Sequence, residues 1–294
     1  HFRRQRQMCI RDRGYIVEVE KTKEKPISIL LNNKKTVTSK LIKEFPCTPI
    51  HNNTFSFTNA SPDFRRKLLD RSIFIAEDNF SSNWFSYYRA LKQRNSVLKN
   101  NRISDIYAWN EMLVEEGIKL DNYRKDFFDK TLKEFHTLLE ILKPFNVFDF
   151  FDVINISFFQ GWDNEKSLLK ILEENKQTDI RRKTTTSGPH KSDIKFLIKD
   201  IDAKQILSRG EQKFFSILWS CAQHEVLKKH YRIDATLIID DIRSELDDRV
   251  FNLFKKLLEH NENQVIFSCI DDCFSSKISS NFKDFKKFHV EQLR

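Results

Sequence analysis

The chain has 294 residues, 39% of them hydrophobic, which is enough for one large domain or two ordinary ones with a buried core. Five cysteines without a C-x-x-C pair or a histidine at zinc spacing exclude a disulfide framework, and no apolar run reaches the roughly 18 residues of a membrane span. We therefore expect a reduced, cytosolic protein with no membrane association. The formal net charge of +9 indicates an acidic partner such as nucleic acid.

The first residues carry much of this charge. Residues 3–13 read RRQRQMCIRDR and resemble the translation of a transposase-type sequencing adapter, while a basic arm is the alternative interpretation. They contain five arginines and one aspartate, so the net charge without them falls from +9 to +5. We expect residues 1–13 to be an adapter artefact and authentic sequence to begin near Gly14, inside a domain.

From Gly14 to about Phe57 the pattern predicts antiparallel β structure. Tyr15 to Glu20 alternates apolar and polar residues. Asn32 and Asn33 lie between two β-prone runs, ISILL and KKTVTS, and indicate a hairpin turn.

A helical region comes next. Ser61 can cap a helix with Pro62 at its first position, and from residue 83 to residue 142 apolar residues recur at spacings of three and four, up to Pro144. The two-residue period then returns from Ile154 and again from Ile194. We therefore predict that residues 61–145 form a helical arm inserted into a head made of residues 14–60 and 146–294.

The last ninety or so residues predict α/β structure. A helix over about 211–229 precedes the buried strand TLIID, a second helix and the strand QVIFSC. Strand, helix and strand with short links indicate a right-handed crossover between parallel strands. Asp240 would then lie at the carboxyl end of its strand, where open α/β sheets bind ligands, with Asp241 beside it. The alternative is that these aspartates only begin a loop and cap the next segment of the chain.

Two further motifs have both a structural and a functional interpretation. In LSRGEQK, Ser208 and Glu211 form a capping box, and the same helix N-terminus with Gly210 would suit an anion. In TSGPHKSD, the Gly-Pro pair indicates a turn, which would leave His190 and Lys191 as exposed loop residues. The five glycines provide no G-x-x-x-x-G-K-[ST] phosphate loop.

The order of these motifs resembles the signature, Walker B and D-loop of ABC-type ATPase heads. GPHKSD before LSRGEQK, LIIDDIRSELDD, SPDFRRKLLD and LKQRNSVLK are more narrowly similar to the bacterial RecF recombination mediator family, from about Gly14 to the C-terminus. The resemblance implies an α/β ABC-type P-loop NTPase head, incomplete because the Walker A strand, loop and helix are missing, with an inserted α-helical arm. The chain would then be an N-terminally truncated fragment.

The resemblance also implies a function. Such a protein binds ATP and Mg²⁺, forms an ATP-dependent homodimer and hydrolyses ATP slowly when DNA is bound. It binds double-stranded DNA and single/double-strand junctions in the bacterial cytoplasm, and acts with RecO and RecR to load RecA in single-strand gap repair and replication restart. Without Walker A, we expect the chain itself to bind ATP weakly or not at all.

Residue roles are implied by the same resemblance. Asp240 would hold Mg²⁺ and Asp241 would take the catalytic carboxylate position. The residues expected to meet the nucleotide of the opposite subunit are Ser208, Arg209, Gly210 and Gln212. Those of the D-loop are Ser244, Glu245, Leu246 and Asp247. Candidates for DNA contact or for structural ion pairs are Arg65, Arg66, Lys92, Arg94 and Lys191, and we favour ion pairs for the first two.

Some positions depart from the family pattern. They are Asn52 and Asn53 near the Q-loop, Val250 after the D-loop and Cys269 at the switch-histidine position. A non-catalytic DNA-binding scaffold with a decayed ATPase is therefore the alternative. An SMC or Rad50-like head would need coiled-coil arms of hundreds of residues, and the insertion has only about eighty.

Overall fold

The computed structural model describes residues 3–10, 13–21, 27–51, 54, 57–100, 103–145, 153–242, 246–261, 263–269 and 285–289. Contacts divide the chain into two compact units, His1–Cys47 and Thr48–Arg294. None of the helices within the described ranges is long and apolar enough to cross a membrane.

The first unit is an antiparallel sheet with one short helix. Its elements are β1 (Arg3–Ile10), β2 (Arg13–Glu20), β3 (Ser28–Leu31), β4 (Lys34–Thr36) and α1 (Thr38–Glu44), and the strands lie in the order β1-β2-β3-β4. The predicted hairpin turn is confirmed, since Asn32 and Asn33 have φ angles of 50° and 62° between β3 and β4. The Asn32 Oδ1 also accepts a hydrogen bond from the Ile16 N–H at 2.9 Å, which ties the turn to β2.

Two features of this unit go beyond the sequence pattern. The second β-prone run ends at Thr36, and the helix α1 begins at Thr38, because the Lys40 and Leu41 N–H groups donate to the Val37 carbonyl. The adapter-like residues Arg3–Ile10 form β1, which pairs with β2 along its whole length.

The second unit contains six strands and eight helices within its described residues. The strands are β5 (Cys47–Ile50), β6 (Ile154–Phe159), β7 (Asp193–Ile198), β8 (Ile201–Asp202), β9 (Thr236–Asp240) and β10 (Val265–Ser268). The helices are α2 (Pro62–Ala76), α3 (Phe80–Lys99), α4 (Ile106–Leu142), α5 (Leu168–Glu174), α6 (Lys176–Arg182), α7 (Ala203–Ile206), α8 (Arg209–Tyr231) and α9 (Asp248–Glu259).

The strands of this unit form two sheets. In the order β10-β9-β5, β9 and β10 are parallel with Ser268 opposite Asp240, so the predicted crossover through α9 is confirmed. The other sheet has the antiparallel order β6-β7-β8, which pairs the two alternating segments that begin near Ile154 and Ile194.

The helices pack onto these sheets through an aromatic core. Ser61 caps α2 with Pro62 at its first position, as predicted, and α3 packs along α4, which in turn packs on α8. Trp219 of α8 is 1% exposed and lies at the centre of the core. The rings within 6 Å of it are those of Phe57, Phe128, Phe135 and Phe196.

Two short helices were not predicted. Residues 168–182 form α5 and α6, each seven residues long, in a segment for which the sequence pattern predicted no helix. Two turns are too few to display a helical period, although Ser167 caps α5 through a hydrogen bond from the Lys170 N–H.

Candidate functional site

The aspartate pair lies where the parallel strands end. Asp240 is exposed, and its Oδ1 accepts a hydrogen bond from the Ser268 hydroxyl on the neighbouring strand. Asp241 has a φ of 46°, and its N–H donates to the Ser268 carbonyl at 3.2 Å. The chain therefore leaves the sheet immediately after Asp240 and presents two carboxyl groups at its carboxyl edge.

These carboxyl groups suit magnesium bound together with a nucleotide. Mg²⁺ is usually held by one or two carboxylates, waters and substrate phosphates, not by a complete protein cage. The described residues contain no cluster of three or more His, Cys, Asp or Glu side chains that could hold a metal. Cys269 follows Ser268 as an exposed cysteine at the same edge.

The signature segment begins α8 with the predicted capping box. The Ser208 Oγ accepts from the Glu211 N–H at 3.4 Å, and the Glu211 Oε2 accepts from the Ser208 N–H at 2.7 Å. The first N–H groups of this 23-residue helix carry the positive end of its dipole. Ser208 and Gly210 therefore lie at a helix end suited to a phosphate.

The end of the D-loop lies beside this helix. Ser244 and Glu245 fall outside the described residues. Leu246 is buried, and Asp247 caps α9 by accepting the Val250 N–H at 2.8 Å. A Cβ atom placed on Gly210 would lie 4.0 Å from the Asp247 Oδ2, with no other described atom as close. Apart from its own helix and the Asp247 carboxylate, the described residues thus leave the space around the signature glycine open.

Gln212 has a different environment from the other signature residues. Its side chain is 7% exposed, and its Nε2 donates to the Leu207 carbonyl at 2.7 Å and the Lys204 carbonyl at 3.2 Å. Its Oε1 accepts a hydrogen bond from the Asn59 amide. The Gln212 side chain therefore holds the segment before Ser208 in place, whereas Arg209 is exposed.

Curated proteins provide the decisive comparison. A DNA replication and repair protein RecF from Hahella chejuensis is 32% identical over 263 residues, which cover 86% of this chain and 69% of that protein. The chain belongs to the RecF family. The RecF of Pseudomonas syringae pv. tomato is 30% identical over 265 residues and 69% of its length. No protein-family model matches.

Solved RecF structures share the fold. The structure of the recombination mediator protein RecF with ATP superposes with a TM-score of 0.73 at 21% identity, covering 88% of this chain and 71% of that one. A RecF structure with an ATP analogue gives the same TM-score at 20% identity. The RecF fold of this chain is the predicted α/β head of ABC type with an inserted helical arm.

The RecF motifs FRRKLLD and GPHKSD contact each other directly. The Arg65 Nε and one terminal nitrogen donate to the two Asp193 carboxylate oxygens at 2.7 and 2.8 Å, and its other terminal nitrogen donates to the Ala60 carbonyl at 2.6 Å. Arg66 donates to the Ser192 carbonyl at 2.6 Å. Every nitrogen of the Arg65 side chain thus has a protein partner, which supports the structural role favoured for this pair.

A buried ion pair joins the arm to the same loop. Arg124 is fully buried and donates two hydrogen bonds of 2.7 Å to the carboxylate of Asp70. Its third nitrogen donates to the Pro189 carbonyl at 2.6 Å and the Ser192 hydroxyl at 3.1 Å. Asp70 raises the pKa of Arg124 by charge and hydrogen bonding against the opposing effect of burial.

Arg94 of LKQRN lies in a second buried network. It is 0% exposed and donates to Asp179 at 2.7 Å, to Thr185 at 2.8 Å and to Asn110 at 2.7 Å. The neighbouring Asn95 accepts from the Thr185 N–H at 2.8 Å. These contacts favour the structural alternative for Arg94, since a guanidinium without exposed surface cannot touch DNA in this conformation. Lys92, two residues before Arg94, is exposed, and so is Lys191.

The prediction that His190 is an exposed loop residue was wrong. Its Nε2 lies 3.0 Å from the Thr185 carbonyl and therefore donates, while its Nδ1 accepts from the Tyr87 hydroxyl at 2.7 Å. Burial lowers the pKa of His190 to about 4, so the ring is neutral at physiological pH, and burial also raises the pKa of Tyr87. The local turn pattern did not indicate that His190 contacts Tyr87, which lies 103 residues away in the sequence.

Glycine at two positions allows this loop to fold. Gly188 has a φ of 132° and donates its N–H to the carbonyl of Gly161, whose φ is 103°. A Cβ atom on Gly161 would lie 2.1 Å from the Gly188 oxygen. Only glycine fits there, because both the φ angle and the close backbone approach exclude a side chain.

Sequence reasoning missed Arg124 and Asp179 as partners of the family motifs. A signal for Arg124 was available, since it lies between Leu120 and Phe127 in the apolar stripe of α4. A charged residue on a buried helix face usually has a charged partner. The identity of the partner could not be read from the helix pattern.

Proposed function

We propose that the family function of this chain is that of an ATP-dependent DNA-binding recombination mediator in which nucleotide joins two copies of the head, and that the 294 residues alone, which contain no Walker A loop, do not carry it out. The observation that carries this proposal is the position of Gly210 at the N-terminal end of α8, where Asp247 is the only described residue outside that helix within 4 Å of the Cβ position. Its support is the membership in the RecF family and the common fold with RecF bound to ATP.

In the proposed mechanism, Ser208, Arg209 and Gly210 face the γ-phosphate of the opposite subunit. The N–H groups at the start of α8 donate to phosphate oxygens, and Arg209 adds charge. The Gln212 side chain acts indirectly, because it holds the segment that leads to Ser208. The D-loop, Ser244 to Asp247, lies across the dimer interface.

The aspartate pair serves the nucleotide of its own subunit. Asp240 would bind Mg²⁺, with the Ser268 hydroxyl as its hydrogen-bond donor, and Asp241 would orient and accept a proton from the attacking water. The bound Mg²⁺ nucleotide supplies the phosphoryl group and the charge that holds the two heads together.

The proposal extends to partners and domains. We propose that the dimer acts with RecO and RecR to load RecA at single-strand gaps in the bacterial cytoplasm. The name of a structural relative, which places RecF in the RecFOR pathway, supports this choice of partners. The helices within residues 61–145 form the proposed arm, and residues 14–60 and 146–294 form the proposed head.

Nucleotide affinity tests one part of this proposal. Because the sequence has no G-x-x-x-x-G-K-[ST] loop, the chain lacks the lysine and backbone donors that cradle the β- and γ-phosphates. We expect no saturable binding of a fluorescent ATP analogue below about 1 mM on the 294-residue chain. A dissociation constant in the micromolar range would contradict the expectation.

The dependence of DNA affinity on ATP tests the rest of the proposed function. The phosphate-loop segment of the Hahella chejuensis relative, joined ahead of Gly14, should allow ATP to raise duplex DNA affinity by roughly tenfold. Ser208→Ala should reduce that gain. The matched control is Ser167→Ala, which removes the same kind of helix cap from α5 and should leave the gain unchanged. Equal DNA affinity with and without ATP would favour the scaffold with a decayed ATPase.

A further inference from the structure

The outer face of α3 carries positive charge without any negative charge. No acidic residue occurs among the 20 residues of this helix. Its exposed polar face is formed by Arg89, Lys92, Gln93, Ser96, Lys99 and Asn100. These positions recur at three and four, so their side chains share one side of the helix over roughly 16 Å.

The C-terminal end of α6 adds three more cations beside this face. Arg181, Arg182 and Lys183 are exposed and follow directly after Ile180, which packs against Val97 and Leu98 of α3. Beyond them, the Thr185 N–H donates to Asn95 on α3. We call these three residues together with Arg89, Lys92 and Lys99 the α3–α6 patch.

The cations of the α3–α6 patch are not neutralised by the protein. Within the described residues, none of the six forms an ion pair or a side-chain hydrogen bond. Asp179 is the acidic residue of α6, and it is buried and paired with Arg94. By contrast, several exposed or half-exposed lysines of the same unit have acidic partners, among them Lys67, Lys119 and Lys143.

We propose that the α3–α6 patch binds the phosphate backbone of double-stranded DNA. Long cations interspersed with amide and hydroxyl groups are the side chains that contact phosphate and sugar without reading sequence. The exposed aromatic ring of α3, Phe85, precedes Arg89 by one turn, so the cations themselves are not interleaved with rings on which successive single-stranded bases could stack, which favours a duplex backbone. The inference rests on the proposed DNA-binding function and assigns it a surface on the arm.

Buried networks beneath the patch connect its two segments. Arg94 and Asn95 fix the segment around Thr185, and Asp179 accepts the Thr186 N–H at 2.9 Å. The backbone segments that carry the exposed cations of α3 and α6 are therefore held next to each other before a phosphate chain binds.

The test measures duplex affinity as a function of salt. Fluorescence anisotropy with a labelled 30-base-pair DNA would compare the full chain with Lys92→Ala/Lys99→Ala and with Arg181→Ala/Arg182→Ala. Each double variant should weaken binding roughly tenfold at 0.15 M salt and lower the slope of log K against log salt by about two. The control Lys125→Ala/Lys133→Ala removes two exposed lysines of α4 and should change neither the affinity nor the slope.

The outcomes separate this inference from the proposed function. If both variants bind duplex like the unmodified chain, the α3–α6 patch is not the DNA surface, while the proposed function stands. If the unmodified chain has no measurable duplex affinity, the inference fails, whereas the proposed function, which requires ATP, is tested by the variant with the added phosphate-loop segment. A loss seen with an RNA duplex of the same sequence, but not with DNA, would overturn the assignment to DNA.

Discussion

Arg65 and Asp193 form a two-point ion pair, at 2.7 and 2.8 Å, between segments 128 residues apart in the chain. Five residues along α2 from Arg65, Asp70 binds Arg124, which also binds the loop just before Asp193. The two family motifs FRRKLLD and GPHKSD therefore contribute to one set of contacts, which connects α2, α4 and β7.

Breaking this ion pair should destabilise the second unit. Asp193→Ala leaves Arg65 as a charge that is only 11% exposed, so we expect a loss of about 2–4 kcal/mol in the free energy of unfolding. Urea denaturation measures it. Lys119→Ala, which breaks an exposed pair with Glu115, is the control and should cost less than about 1 kcal/mol. Similar losses in the two variants would contradict a structural role for Arg65.

Substitution of Arg94 should lower the stability of the fold, whereas substitution of Lys92 should hardly change it. Arg94→Met leaves Asp179 buried without its cation, and we expect a loss of about 3–5 kcal/mol in the free energy of unfolding. Lys92→Ala removes an exposed side chain and should change stability by no more than about 0.5 kcal/mol. Chemical denaturation of both variants checks this. An Arg94→Met protein as stable as the unmodified chain would show that the buried network contributes little.

His190 should make stability depend on pH. Its pKa is lowered to about 4 in the fold but is about 6.5 in an unfolded chain, so between these values the unfolded state binds more protons. The contribution of His190 to the free energy of unfolding is fully present above pH 6.5. It is lost as the pH falls toward 4, by up to about 3 kcal/mol.

A variant separates His190 from other titrating groups. His224 has the same shift to about 4 and adds to the effect, while Asp121, whose burial raises its pKa to about 6, opposes it. The difference in melting temperature between pH 7.5 and pH 4.5 should be smaller in His190→Gln than in the unmodified chain. Equal differences would mean that His190 is solvated in the fold.

The hairpin turn of the first unit offers a stabilising change. Asn33 has a φ of 62°, a conformation that glycine adopts without a Cβ penalty in a two-residue turn. Asn33→Gly should therefore be neutral or raise the melting temperature, whereas Asn33→Val should lower it. Asn32→Gly should lower it too, because the Asn32 side chain accepts the Ile16 N–H. Equal melting temperatures for Asn33→Gly and Asn33→Val would contradict this turn geometry.

Much of the fold was predictable because its causes are local. The Asn32-Asn33 turn, the Ser61 cap before Pro62 and the Ser208–Glu211 capping box each depend on residues within a few positions of one another. The parallel pair β9 and β10 is explained by two apolar runs on either side of one amphipathic helix. For the candidate site, the strand that ends in Asp240 and the helix that begins after Ser208 were both predicted from such patterns.

The sequence by itself thus determined the elements, their caps and the sheet edge that carries the two aspartates. Only the tertiary structure decided the partners: Asp193 for Arg65, Asp179 for Arg94, and Tyr87 for His190. The local sequence pattern around an arginine or a histidine does not show whether the side chain faces solvent or is buried with a partner. Its role is decided by burial, which removes water as the alternative partner, and by groups 85 to 128 residues away.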